Sequence, residues 1–265
     1  MEALREWALR LPSEGRYTFT TAEARAHQAH ISAAGTAVAL QRAADDGILV
    51  SPVRGFHVVL PLEDRAIGAP QWRLFLGPLM AHLGGPYYVG LLTAAAIHGA
   101  AGQAAQVVQV VTAKQRRPIR VGRLRIELVV RRTAADAPTI PLTTPSGRIP
   151  VATPEVVALD LVHYPEHAGG WGNVLTVLHG LAPRLGARAM RAALAMQPAT
   201  TDMQRLGHLL DRVGAARPSD VLAHRLAGRR TTWIPLVPGA APADPGTYRR
   251  DPRWRVVVNE ELAAD

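Results

Sequence analysis

Residues 17 to 60 restrict what this chain can fold into more than any other stretch. Thr20-Thr21-Ala22-Glu23 places a hydroxyl and a carboxylate three residues apart, the spacing at which each satisfies an orphan backbone donor of the other, so a helix is expected to start there. A second start is expected at Ser32, an N-cap residue. Thr36, Ala39, Leu40 and Ala43 follow at helical spacing, and Gly47 stands where a left-handed C-terminal residue belongs. Two β-rich runs, Ile48-Leu49-Val50-Ser51 and Phe56-His57-Val58-Val59-Leu60, then flank Pro52-Val53-Arg54-Gly55, read as the turn of a hairpin. Helix, helix, hairpin is the order of a winged helix-turn-helix, in which a helix enters the major groove and the wing reaches a neighbouring groove. The alternative is that the same elements form only a packing or protein-contact module. The face predicted to point away from the core (Ala33, Ala34, Ala37, Val38, Gln41 and Arg42) has only Gln41 and Arg42 able to make bidentate base contacts.

Charge extends the argument beyond this segment. The formal net charge of +9 suggests an acidic partner, of which nucleic acid is the usual case. Residues 1–65 nevertheless hold seven arginines against eight acids, so the excess lies later. Lys114, Arg116, Arg117, Arg120, Arg123, Arg125, Arg131 and Arg132 crowd together with only Glu127 opposing them. The expected DNA contacts are therefore Ser32, Thr36, Gln41 and Arg42 on the second helix, Arg54 on the wing, and Arg116, Arg117, Arg120 and Arg123 in the basic cluster. A composition rich in arginine, alanine, glycine and proline offers a different account of the cluster, as a solvated charge run.

The 265 residues, 48% hydrophobic, suffice for two domains. The expected class is α+β: a winged helix-turn-helix over 1–63 and a larger mixed α/β domain over 70–265, joined by the Gly- and Pro-containing stretch Pro61 to Pro70. A leading helix is expected over residues 2–11. Helices are also expected over Trp72 to Leu83, Leu91 to His98, Thr153 to about Tyr164, Asn173 to Leu185, Ala187 to Met196 and Thr201 to Val213. Strands are expected at Val107 to Thr112, Arg123 to Arg132, Ile149 to Ala152, Thr232 to Val237 and Trp254 to Asn259, with a mobile loop over Pro238 to Pro252.

The absence of cysteine excludes disulfides, thiolate metal sites and a cysteine nucleophile. The charged amphipathic start does not read as a signal peptide, and no apolar run approaches the roughly 20 residues that span a bilayer, so a cytoplasmic location without membrane contact is expected. His27 and His30 lack a carboxylate placed to complete a metal site, and no phosphate-cradling glycine loop is present. Glu155, Asp160 and His163 could be assembled into a general acid and base set, but the plainer expectation is helix initiation by Thr153 and Glu155, with Asp160 holding backbone or an arginine. Tyr87, Tyr88 and His98 are read as packing residues that would line a pocket only around a buried helix. No catalytic residue, cofactor or metal is expected.

The order of motifs resembles that of AbiEi-type antitoxins over most of the chain. The residues that carry the resemblance are Gly47-Ile48-Leu49-Val50 with Gly55-Phe56-His57-Val58-Val59, Tyr87 through Gly99, Val107 through Thr112, Gly147 through Glu155 with Leu159-Asp160-Leu161, and Gln204 through Asp211. The resemblance implies an N-terminal domain that represses its own operon by binding inverted repeats in the promoter. It also implies a C-terminal domain that counters a nucleotidyltransferase-like toxin in a type IV pair, without requiring stable contact between the two proteins. A solitary regulator or a protein-binding module is the alternative. The alanine-rich second helix departs from the polar reading helices common in such proteins and points to readout of DNA shape.

Overall fold

The computed structural model describes residues 3–65, 68–101, 106–239 and 248–263, and its architecture is α+β. In chain order the elements are α1 (Leu4–Arg10), β1 (Thr18–Thr20), α2 (Thr21–His27), α3 (Ala33–Asp45), β2 (Leu49–Val53), β3 (Phe56–Val59), α4 (Leu76–Leu83), β4 (Tyr87–Val89), α5 (Leu91–Ile97), β5 (Val107–Thr112), β6 (Ile119–Val121) and β7 (Leu124–Val130). Then come β8 (Thr139–Thr144), β9 (Gly147–Ala152), α6 (Pro154–His163), α7 (Trp171–Leu181), α8 (Ala187–Ala193), α9 (Thr200–Arg212), α10 (Ala216–Leu226), β10 (Ile234–Pro235), β11 (Arg249–Asp251) and β12 (Val256–Val258). Residues 240–247, most of the loop expected to be mobile, lie outside the described residues, as do residues 66–67 of the expected joint and residue 2 of the expected leading helix.

Two compact units partition the chain, and neither is one continuous segment. The first comprises residues 1–87, 105–131 and 141–150; the second comprises 88–104, 132–140 and 151–265.

In the first unit, the order β1, α2, α3, β2, β3 follows from local chemistry. Thr20 caps α2: its hydroxyl accepts from the Glu23 amide, and the Glu23 carboxylate accepts from the Thr20 amide. Ser32 caps α3 by accepting from the Gly35 amide at 3.1 Å. At the other end Gly47 takes φ 66°, and the bonds Gly47 N–H to Ala44 and Ile48 N–H to Ala43 close a Schellman motif. The chain then reverses into an antiparallel sheet in the order β1-β3-β2, with Thr18 opposite Val58 and Leu49 opposite Val59. Beneath it, Leu4, Trp7, Leu11, Phe19, Leu40 and Leu49 form one apolar cluster, so α1 belongs to the same core. The hairpin turn is narrower than the sequence suggested. β2 runs on through Pro52 and Val53, accommodated by a register irregularity after Val50, and only Arg54 and Gly55 make the turn. The expected helix over Trp72 to Leu83 is broken: a 3-10 turn at Trp72–Leu74 gives way at Phe75 (φ −139°) before α4 begins. Farther along, β5 pairs in parallel with β7 from Val107 opposite Arg125 to Thr112 opposite Val130, and β6 pairs antiparallel on the outer side of β7.

The second unit is built around α6, whose residues Glu155 to Val162 are all buried and which contacts α5, α7, α8 and α9. Thr153 caps it and Pro154 occupies its first position, as the sequence suggested. Alongside, β4 pairs in parallel with β9 through Val89 and Val151. A small sheet of order β10-β12-β11 closes the chain, with Ile234 opposite Val256 and Arg250 opposite Val257.

Candidate nucleic-acid interface

The outward surface of α3 consists of Ala33, Ala34, Ala37, Val38, Gln41, Arg42 and Asp45, all exposed. Opposite them, Leu40 and Ala43 enter the core. Thr36 corrects the expected contact set. It is only 1% exposed, on the same face as Leu40 and Ala43, and its hydroxyl donates to the Ser32 carbonyl at 3.3 Å, so it cannot reach a groove. Ser32 is exposed, but its hydroxyl is engaged as the cap of α3. Gln41 donates to Asp45 Oδ1 at 2.8 Å, which fixes its amide on the exposed face, beside the exposed side chain of Arg42.

Arg54 is exposed at the wing turn, and the main chain around it is tied down. His82 of α4 donates through Nε2 to the Arg54 carbonyl at 3.4 Å and its ring lies 5.3 Å from Phe56, while the Thr21 amide donates to the Gly55 carbonyl at 3.0 Å. The wing is thus a fixed protrusion. Arg116 is a second correction: its Nη2 donates to the carbonyls of Leu83 (2.5 Å) and Gly84 (3.0 Å), the open carbonyls at the end of α4. It is half-buried and serves as a cap. Lys114, Arg117, Arg120 and Arg123 remain exposed. Arg125 pairs with Glu127 at 3.1 Å, and Arg131 is buried.

One connected arrangement emerges within the first unit. The wing turn is held by His82, the end of α4 immediately after His82 is capped by Arg116, and β6, which carries Arg120, contacts β2 of the wing. Arg54 of the wing and the exposed Arg117, Arg120 and Arg123 accordingly belong to one body, whereas Arg132 falls in the second unit.

His57, not singled out in the sequence, holds this body together. It is 7% exposed, with Nε2 2.9 Å from Thr21 Oγ1 and Nδ1 2.8 Å from Ser51 Oγ, and its ring stacks on Phe19. Burial lowers its pKa from the ordinary imidazole value. Glu23 is pushed upward by partial burial, but the hydrogen bonds from Thr20 and the nearby Arg16 outweigh this and hold it below the ordinary carboxylate value.

In the second unit, the acid and base side chains are engaged separately. Asp160, fully buried, accepts from the Tyr88 hydroxyl at 2.8 Å rather than serving only the backbone; Glu155 accepts from the Gly186 amide at 2.8 Å; His163 donates through Nδ1 to Asp202 at 2.6 Å. Tyr88 is itself buried, and His98 donates to the Ala152 carbonyl at 2.7 Å, so both are packing and bonding residues. The stretch Gln204 through Asp211 clasps the C-terminal segment. Gln204 donates to the carbonyls of Thr232 and Trp254, Arg205 to those of Pro235 and Leu236, His208 bonds Asp251, and Asp211 accepts from Trp254 Nε1 at 2.6 Å. Sequence spacing gave no sign of this, because the partners lie 28 to 50 residues away. Among the described residues, no helix is long and apolar enough to cross a membrane, and no group of three or more His, Cys, Asp or Glu is arranged to hold a metal ion.

Residues 88–212 match the family described as "AbiEi antitoxin C-terminal domain". This segment is thus similar to the C-terminal domain of AbiEi antitoxins, the family that the order of motifs resembles. A structural relative, the RV2827C protein from Mycobacterium tuberculosis, has a similar fold, with a TM-score of 0.62 and 18% sequence identity over 95% of this chain and 90% of that one. No curated protein matches the chain significantly.

Proposed function

We propose that this chain is an antitoxin-family DNA-binding autorepressor. In this reading residues 1–63 are a winged helix-turn-helix that binds inverted repeats in its own promoter, and residues 70–265 are the antitoxin-type domain that counters a nucleotidyltransferase-like toxin of a type IV pair without a stable complex. It acts in the cytoplasm and is not an enzyme. The observation that carries the reading is the sharing of one compact unit by the exposed side of α3, the anchored Arg54 turn and the exposed arginines beside β6. Gln41 and Arg42 are the base-edge candidates; Arg54, Arg117, Arg120 and Arg123 grip phosphates.

Fluorescence anisotropy with the upstream DNA, titrated against salt, tests it. Four exposed arginines (54, 117, 120 and 123), each neutralising one phosphate, give a log–log slope of about −3.6. Replacing any of Arg54, Arg117, Arg120 or Arg123 by Gln should make the slope shallower by about 0.9, and replacing Arg116 should leave it unchanged. Binding without salt dependence, or no binding at all, overturns the reading. A second reading has its own support: Val38 is 50% exposed and, with Ala34 and Ala37, makes the outer face of α3 apolar, while Asp45 on that face repels phosphate. That face would suit a protein surface, and salt-insensitive capture of a protein partner without a DNA shift would select it.

A further inference from the structure

The small sheet that closes the chain, β10-β12-β11, has two unlike faces. Residues directly opposite one another in a sheet share a face, and neighbours along a strand alternate. Ile234, Val256 and Asp251 stand in one row; the first two are buried and Asp251 bonds His208 of α9, so this is the inner face. Pro235, Val257 and Arg250 form the next row, and Pro235 and Arg250 are exposed on the outer face. Trp233, two positions before Pro235, falls on the same side. It is 45% exposed, with the Arg250 guanidinium 5.6 Å from its ring centroid. The main chain on either side of Trp233 is tied down: Gln204 of α9 donates to the Thr232 carbonyl at 3.0 Å, Arg205 donates to those of Pro235 and Leu236 at 3.2 and 3.1 Å, and Arg255 donates to that of Thr231. The indole is therefore presented from a fixed support.

Charge divides the arginines of this region. Arg253 is spent on Asp211 and Asp220, and the ring it lies over, Trp254, is buried. Arg250 and, in the connection from α10 to β10, Arg229 and Arg230 are exposed, and among the described residues they form no ion pair. Glu260 and Glu261, also exposed, come after β12 and outside these rows. An indole held open beside unanswered cations matches a nucleic-acid strand whose bases are free to stack: every base offers a π face, and a phosphate follows each one. In a duplex the bases stack on one another and cannot reach the ring, and an acidic peptide would answer the charges but leave the indole uncovered. We propose that the outer face of this sheet binds single-stranded nucleic acid, one base stacking on Trp233 and the neighbouring phosphates meeting Arg229, Arg230 and Arg250. Stacking is indifferent to base identity, so binding is tolerant of sequence. The site lies within the second unit and does not rest on the DNA-binding reading of the first.

The test is fluorescence anisotropy of the full chain with labelled oligo(U) and oligo(dT) of about 12 nucleotides, beside the duplex of its own upstream region. Binding of either single strand, with quenching of tryptophan emission, is expected, and the tighter of the two names RNA or DNA as the source. Trp233→Ala should weaken single-strand binding about tenfold and leave duplex affinity unchanged, while Trp233→Phe should keep most of the affinity and lose the quenching. Arg250→Gln should make the single-strand salt slope shallower by about 0.7. Arg249→Gln is the matched charge control, since Arg249 pairs with Val258 in the other set of rows, and it should leave the slope unchanged. No binding of either oligonucleotide at low salt, or unaltered affinity in Trp233→Ala, overturns the site. An equal loss of duplex affinity in Trp233→Ala also overturns it, in favour of a surface that grips duplex phosphates. Thermal denaturation of each variant, all at exposed positions, checks that the fold is kept. If Arg54→Gln lowers single-strand affinity and Trp233→Ala does not, the strand sits on the first unit and the proposal fails. If the upstream duplex does not bind, the DNA-binding reading fails alone and the single-strand titrations still decide.

Discussion

Gly207→Ala sets two ordinary effects against each other within α9. In an exposed helix interior the change from glycine to alanine stabilises by about 1 kcal/mol. At Gly207, however, the added Cβ would stand 2.2 Å from Trp254 Cζ3 and 2.4 Å from both Cε3 and Cη2. Carbon atoms in contact settle at about 3.5–4.0 Å, so the ring must retreat by about 1 Å or more. It has nowhere free to go: Trp254 is 1% exposed, its Nε1 donates to Asp211 at 2.6 Å and its carbonyl accepts from Gln204 at 2.8 Å. Overpacking costs about 1–3 kcal/mol, and weakening a hydrogen bond to a charged acceptor adds up to about 1.5–3 kcal/mol. Net of the helical gain, the second unit should lose about 1.5–5 kcal/mol. Hydrogen-exchange mass spectrometry of α9 and β12 reads this directly, with protection expected to fall in both. Gly172→Ala in α7 is the matched control, since its Cβ would meet only the Ala263 carbonyl oxygen at 3.7 Å, an ordinary contact, and its stability should be unchanged or slightly raised. If Gly207→Ala proves as stable as that control, the packing account of α9 is wrong.

Other perturbations follow from the same geometry. His57 has a folded-state pKa below the unfolded value, so below about pH 6.5 the unfolded chain takes up a proton that the folded chain refuses, and stability falls on acidification until the folded value is passed. Urea midpoints between pH 7.5 and 5.5 should therefore drop further in the native chain than in His57→Gln. Thr20→Ala removes the hydroxyl half of the capping box at α2, leaving the amide of residue 20 to donate to Glu23, and should cost about 1 kcal/mol, measured by urea denaturation. Glu23, with its lowered pKa, contributes stability above the ordinary carboxylate value that fades as pH falls through the folded one, and this acid-limb component should shrink in the same variant, where the amide of residue 20 and Arg16 still favour the carboxylate. Tyr88→Phe withdraws a donor from the fully buried Asp160 carboxylate and should destabilise the second unit by about 1–3 kcal/mol, read as lost exchange protection in α6.

Features whose causes lie within a few residues were legible in the sequence. The capping box at Thr20 and Glu23, the Ser32 cap, the Gly47 ending and the Thr153-Pro154 start all formed as expected, as did the apolar strand Val107–Thr112. Features decided by distant partners were not. β1 is three residues whose strand character comes from pairing with β3 some 40 positions later. β8 is largely exposed and contains Pro141, α10 carries Pro218 in its first turn, and β11 is defined by its pairing with β12. The same divide runs through the proposed interface. Helical spacing already set Thr36 beside Leu40 and Ala43, so its burial could have been read and its inclusion among DNA contacts avoided. The commitment of Arg116 to carbonyls at positions 83 and 84 could not, because nothing in a run of arginines tells which one turns inward.

The hold of α9 on the C-terminal segment is directed mostly at main-chain carbonyls, those of Thr232, Pro235, Leu236 and Trp254, with Arg212 reaching the carbonyl of Leu262. Grips of this kind recognise the course of a chain and not its spelling. Outside the bonding side chains of Asp251, Arg253, Trp254 and Asn259 and the buried Ile234, Leu236, Val256, Val258 and Leu262, the described positions of the tail are therefore open to rewriting while α9 keeps its grasp.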